Sequence, residues 1–368
     1  MSLNLVAPIN ELGYGVVGYH VLKALIELGE DVSYWPIGPA SWSEPAPFVK
    51  DAIERAKTYD AFAESVRIWH QNDMAMMPGF GKRFGWSIFE LDTFDEVEKL
   101  HLSSVEKNLV CSRWAASVLD SQGIDDQAVV VPLGVDSKQF YVDQAALQQR
   151  KYWTHGKTVF LNVGKWEVRK GHNELLDAFC KAFTPEDNVE LWMLNHNPFI
   201  GSKNEQWKIK YMSSPMAGSI KILPRIKTRD EMRQLYNTVD FGVFPAHAEG
   251  WNLEPLEMMA CGVPSIVTNY SGHTEFCNKD NSLLVQPNGM EPAVEAPWFN
   301  GQGNWCTFDT DELVARMKEA HVLNQSKDAR FDALKQGALS TSKEFSWSNT
   351  ARQLLLAVNP SRVLVDVA

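Results

Sequence analysis

The stretch from Asp240 to Phe276, DFGVFPAHAEGWNLEPLEMMACGVPSIVTNYSGHTEF, leaves this chain few folds to choose from, because it compresses strand, loop, helix and strand into one unit. Asp240 to Pro245 carries Phe241, Val243 and Phe244, the apolar run of a strand buried on both faces in a parallel sheet. His247 to Asn252 reads as a polar loop at its carboxyl end. A helix follows, with Pro255 in the first turn, Leu256, Met259 and Ala260 on its inner face, and Gly262 as its stop. Val263 to Thr268 is the next strand. Ligands of open α/β sheets bind beyond the carboxyl ends of the strands. The loop bearing Glu249 and the helix start bearing Glu257 should therefore both face a ligand.

A second place for chemistry precedes this one. Thr158 to Val163 is an apolar strand, followed by Gly164-Lys165-Trp166-Glu167-Val168-Arg169-Lys170-Gly171 and a helix with Leu175, Leu176, Phe179, Ala182 and Phe183 on one face. Cations at the carboxyl end of a strand, just ahead of a helix start, suit a diphosphate. Near the amino terminus, Leu3 to Pro8 is a strand running into Gly13, Gly15 and Gly18, a G-x-G-x-x-G, and a helix with Leu22, Leu25 and Ile26 inward. A dinucleotide fingerprint also wants an acid closing the second strand. Val32 to Trp35 ends in Pro36-Ile37-Gly38, with Glu30 and Asp31 ahead of it, so a dehydrogenase is disfavoured.

The spacing of the two acids, Glu249 and Glu257, carries a family resemblance. With Gly250 between them and Met-Met-Ala-Cys-Gly-Val-Pro and Ser-Gly-His-Thr-Glu after them, the stretch resembles the E-x7-E region of the retaining, GT-B-fold glycosyltransferases of family 4 (glycosyl transferases group 1). The usual form there is an acid, Gly-aromatic-Gly, then a second acid; here Asn252 stands in place of the second Gly. The resemblance extends to Pro132-Leu133-Gly134-Val135-Asp136, similar to the family's crossing into the interdomain linker, and to the loop at 164–171, similar to its Gly-Arg-x4-Lys-Gly. Lys170 keeps that pattern and Lys165 departs from it, giving a point charge where relatives have a bidentate guanidinium. Whether Arg169 supplements Lys165 stays open.

The resemblance implies an α/β GT-B fold of two Rossmann-like domains facing each other across a cleft: an acceptor domain over 1–150 and a donor domain over 151–345. A terminal helix, 346–368, would cross back to the first, and 144–153 would be the linker. It implies that Glu249 reaches the donor sugar, Glu257 the nucleotide ribose, and Lys165 and Lys170 the donor phosphates, with Asn252 and Leu253 beside them. Gly13 and Gly15 would lie against the diphosphate or acceptor, Arg225 and Ile226 against the base, and Trp86 and Glu90 against the acceptor. The activity implied is transfer of a hexosyl unit from a UDP- or GDP-linked sugar to a saccharide or other hydroxyl acceptor, with retention, with no metal or cofactor required. A GT-B-fold epimerase or phosphorylase, and a nucleotide-sugar binding module without turnover, stay open as alternatives.

Length and charge narrow the partners. At 368 residues two domains are expected. The net charge of −11 is uneven: residues 1–150 carry 12 Lys and Arg against 21 Asp and Glu, leaving 23 against 25 for the rest. An acidic first half argues against nucleic acid and against peripheral docking on anionic lipid. No apolar run approaches the roughly 18 residues of a membrane span, and a cytoplasmic protein is expected. Five scattered cysteines without a C-x2-C pair argue against disulfides and zinc. His247-Ala248-Glu249 lacks the P-C-x2-C that a zinc deaminase needs. Asp309-Thr310-Asp311 reads as the first-turn acids of a helix rather than as a metal motif. Residues 286–307, rich in Pro, Gly, Asn and Trp, read as an ordered loop.

Overall fold

A computed structural model describes residues 2–43 and 45–361. The chain forms two compact units, one taking the chain up to Gly134 and again from Phe345 onward, the other running Val135–Glu344. Among the described residues no helix is long and apolar enough to cross a membrane.

The first unit is built on six parallel strands, β1 (Ser2–Ala7), β2 (Asp31–Pro36), β3 (Glu64–Ile68), β4 (Arg83–Trp86), β5 (Lys107–Val110) and β6 (Val129–Val130), in the order β2-β1-β3-β4-β5-β6. β3 lies in a stretch whose sequence has no clear period, because Arg67 interrupts its apolar run. The structure buries that arginine by pairing it with Asp73 at 2.5 Å and satisfying it on the carbonyls of Asp73 and Met76. The helix Trp347–Val358 belongs to this unit: Trp347 stacks on His20 of the helix Gly13–Glu27 with centroids 5.0 Å apart, and the Thr350 hydroxyl donates to Pro132 O.

The second unit holds β7 (Thr158–Gly164), β8 (Val189–Asn195), β9 (Ile220–Ile222), β10 (Phe241–Phe244), β11 (Ser265–Thr268) and β12 (Ser282–Val285), all parallel, in the order β12-β11-β10-β7-β8-β9. Phe160, Phe179, Leu191, Phe241, Ile266 and Phe331 fill its core. The strand order reverses between β7 and β10, so the crevice for a ligand lies where the loops after those two strands emerge.

Two segments differ from expectation. Residues 144–153, too polar to read as a packed helix, form the helix Gln144–Thr154 inside the second unit instead of a linker. Polar ties hold it there: Arg150 pairs with buried Asp240, and the Asp143 N–H donates to Asn237. Residues 286–307 are not a loop but an antiparallel hairpin, β13 (Pro287–Glu295) and β14 (Phe299–Phe308). β13 is largely exposed, β14 is mostly half-buried, and their pairing shifts register at Pro287/Gly289 and Pro292/Val294, which erases the alternation a strand would show. Asp309 is the N-cap of the next helix, accepting from the Asp311 N–H, and Asp311 lies in its first turn.

Candidate functional site

The loops after β7 and β10 are pressed together at the switch point. Gly171 has φ +69, and a Cβ there would lie 1.9 Å from Pro245 O, so only glycine lets the two loops meet. The His247 N–H donates to Arg169 O across the same seam. Beneath it, Asn162 on β7 donates to Val243 O on β10 and accepts from Asn195 on β8, while His172 closes the ladder on Asn162. Burial pushes His172 down to about 3, so it stays neutral, with Nε2 at hydrogen-bond distance from the Asn162 side chain and Nδ1 from the Glu167 backbone.

On this base sits a chain of alternating charges. Lys165 meets Glu167 at 2.7 Å, Arg169 meets Glu167 and Glu249 at 2.9 Å each, and Lys170 meets Glu249 at 2.6 Å. Burial would raise the Glu249 carboxyl, but Arg169 and Lys170 outweigh it and hold it well below the ordinary carboxylate range. Glu249 is thus an anion at any physiological pH. The same balance runs the other way at Lys170: burial would lower it, and Glu249 keeps it raised and charged. Side-chain exposure separates the cations: 39% for Lys165, 13% for Lys170 and 4% for Arg169. Lys165 is the most open of the three to solvent, Lys170 is largely covered, and Arg169 lies deepest, bonded to Ala248 O, Glu167 and Glu249. Arg169 is turned onto the two acids and away from solvent.

The loop bearing Glu249 is fixed from the far side as well. The Glu249 N–H donates to the Ser271 hydroxyl, and the Gly272 N–H donates to Glu249 O. Asn252 has φ +76, the left-handed region that explains why glycine is usual at this place, and its side-chain amide donates to His273 Nε2. Burial pushes His273 down to about 4, so the neutral ring accepts from Asn252 and donates to Thr268 O.

Helix Leu253–Ala260 then presents Glu254 and Glu257. The Glu257 carboxylate accepts from Tyr236 Oη at 3.0 Å and Arg229 Nη1 at 3.2 Å. Burial pushes it up to about 7, against the pull of Arg229, and it also raises Glu254, which interacts electrostatically with both Glu249 and Glu257. The structure therefore gathers Lys165, Lys170, Glu249, Asn252, Leu253 and Glu257 on two adjoining loops and one helix start. Sequence reasoning missed Ser271, His273, Arg229, Tyr236 and Glu254, whose roles are visible only as contacts across the sheet.

Other candidates fall elsewhere. Arg225 is exposed and Ile226 half-buried in the loop after β9. Gly13 opens the helix Gly13–Glu27 in open space, whereas a Cβ on Gly15 would meet the Asn10 backbone at 2.3 Å, so Gly15 is required for packing the helix on the preceding loop. Trp86 is fully buried in β4, as a core residue is. Glu90 is half-buried after β4 near Tyr14, whose hydroxyl donates to Ile88 O at 2.6 Å and whose ring lies 5.5 and 4.7 Å from those of Trp69 and His70. These four residues collect at the carboxyl ends of β1, β3 and β4, the switch point of the first unit.

Comparison with known proteins follows this division. Residues 157–296 match the family model described as Glycosyl transferases group 1. The chain is 26% identical over 169 residues to a GDP-mannose-dependent alpha-(1-6)-phosphatidylinositol dimannoside mannosyltransferase of Mycobacterium tuberculosis, covering 45% of this chain and 42% of the relative. It is 24% identical over 252 residues to a D-inositol 3-phosphate glycosyltransferase of Geodermatophilus obscurus, covering 66% and 50%. The chain thus spans about half the length of the curated relatives it matches. A solved sucrose-phosphate synthase from Thermosynechococcus elongatus superposes with a TM-score of 0.71 over 98% of both chains at 15% identity. The fold is GT-B, two Rossmann-like α/β units with parallel sheets, and the chain is related to glycosyltransferases of that fold.

Proposed function

We propose that this chain is a retaining family 4 glycosyltransferase, moving a hexosyl unit from a nucleoside-diphosphate sugar to an acceptor hydroxyl. The observation that carries the reading is the charge ladder at the β7/β10 switch point, in which Lys165 pairs with Glu167 and Lys170 with an ionised Glu249. Cleaving the bond between sugar and diphosphate builds negative charge on the leaving group, and Lys165 and Lys170 are already in place to stabilise it. The incoming phosphate takes over the ammonium contacts of Glu249 and Glu167. Glu249, acceptor-only, then orients sugar hydroxyls. It is no general base, since the departing phosphate on the same face takes the acceptor proton. Glu257 takes the ribose, and the aromatic cluster around Tyr14 with Glu90 receives a saccharide or other hydroxyl acceptor. GDP-mannose is the first donor to test, as the mycobacterial relative is named for it, and UDP-sugars the second.

The test is release of nucleoside diphosphate from GDP-mannose and UDP-glucose with a panel of saccharide acceptors, and the anomeric configuration of the product by NMR. An inverted product sinks the retaining assignment, and absence of any diphosphate release or thermal stabilisation by GDP or UDP sinks the transferase reading.

Glu257 supplies a pH signature. A ribose hydroxyl donates to the ionised carboxylate, and the unliganded group titrates at about 7, so binding favours proton release. Affinity for the nucleoside diphosphate should rise by up to about ten-fold between pH 6 and pH 8 and level off above that. Titration of the phosphate itself occurs with any variant, so the informative quantity is the difference from Glu257→Gln, whose profile should be flatter. Parallel profiles in calorimetry would remove Glu257 from the ribose.

A further inference from the structure

The hairpin β13–β14 reaches the phosphate-facing loop through one side chain. Glu295 accepts from the Val168 N–H with Oε1 at 2.7 Å and from the Arg169 N–H with Oε2 at 3.0 Å. These two amides belong to the turn that delivers Lys170, and Glu295 lies 126 residues further along the chain than Arg169. The Phe299 ring, across the hairpin from Glu295, stands 5.9 Å from the Arg169 guanidinium.

The other end of the hairpin is tied to the loop of Glu249. The Cys306 N–H donates to His247 O, and His247 Nδ1 donates to Cys306 O at 2.8 Å. The imidazole stacks on Phe308 with centroids 5.4 Å apart, and its second nitrogen faces Glu174 at 3.5 Å. One element therefore fixes both partners of the Lys170–Glu249 pair, the lysine through Glu295 and the carboxylate through His247. The family match ends at residue 296, so β14 lies outside it.

We propose that Glu295 is a positioning residue for the donor diphosphate: by holding the amides of Val168 and Arg169 it sets where the Lys170 ammonium meets the phosphates. The inference rests on the transferase reading above. Geometry and charge predict opposite results here. A carboxylate beside a phosphate site repels the anion, so if charge were its effect, neutralising it would tighten binding. If it positions the loop, neutralising it leaves one amide without an acceptor and binding weakens.

The experiment is calorimetry of the full chain with GDP and with UDP, for wild type, Glu295→Gln and Glu295→Ala, alongside thermal melts and amide exchange over 164–171. Expected are a loss of diphosphate affinity of about ten-fold in Glu295→Gln and more in Glu295→Ala, with faster exchange at Val168 and Arg169. Donor KM rises with acceptor KM unchanged, a split that general loss of stability would not give. Glu295→Asp, whose shorter side chain reaches one amide, should fall between and guards against a variant that fails to fold. Unchanged or tighter binding in Glu295→Gln overturns the proposal. If wild type binds neither GDP nor UDP, the transferase reading itself has failed and this one falls with it.

Discussion

Lys170→Met should lower glycosyl transfer by about 10³-fold in kcat while leaving a folded protein. The lysine stem runs 3.5 Å from where a Gly164 Cβ would sit, and methionine keeps that packing while removing the ammonium. Glu249 retains Arg169 at 2.9 Å, so the carboxylate is not orphaned, and the cost to stability should stay near 1–3 kcal/mol. What is lost is a fixed positive charge 2.6 Å from Glu249, at the place proposed for the departing diphosphate. A rate assay with saturating donor reads the loss in kcat, and a melt confirms the fold. A variant turning over at the wild-type rate would show that the phosphates lie elsewhere. The same experiment on Lys165 should give a smaller loss, because its side chain is 39% exposed and water screens it.

The residues that announced this site in the sequence are those whose chemistry is local. A strand, a polar loop and a small-residue helix between Asp240 and Gly262 have a readable period, and the acids and lysines stand at strand ends that the period locates. Arg169 looked like one more loop cation. Its burial under Lys165 and Lys170 depends on which way each side chain turns from a tight loop, and spacing carries no such information. Glu295 was invisible for a different reason: its partners are separated from it by 126 and 127 residues, and its hairpin exposes both faces of β13 and so shows no alternation. Asn252 seemed a departure from the family pattern, yet it takes the left-handed backbone that asparagine tolerates better than most residues and gains a bond to His273. In the first unit, the G-x-G-x-x-G suggested a ligand loop, whereas Gly15 and Gly18 answer to the backbone of Asn10 and Pro8. Sequence gives the need for a missing Cβ; only the fold says which neighbour imposes it.

Arg169→Met should be the most destabilising single change at the site, by about 3–5 kcal/mol, a large part of a typical domain's stability. The guanidinium is 4% exposed and bonded to Glu167, Glu249 and Ala248 O, so its removal strips one partner from each of two buried carboxylates. A drop of roughly 10 °C in melting temperature follows for a unit of this size. The pH dependence fixes the cause. Glu249 is held well below its ordinary value of 4.5, so its pairing stabilises the fold above that value and the contribution is lost as pH falls toward the lower, folded value. The gap between wild type and Arg169→Met should therefore be widest near neutrality and begin to narrow once pH drops below about 4.5. Adding Glu249→Gln to Arg169→Met should restore part of the lost stability, since the neutral amide no longer needs the cation, whereas Glu249→Gln alone should destabilise by leaving Arg169 and Lys170 facing each other. Such a double-mutant cycle is strongly non-additive for residues in contact. Additive losses, or a gap independent of pH, would mean that Arg169 acts through packing alone and that the charge ladder does not set the state of Glu249.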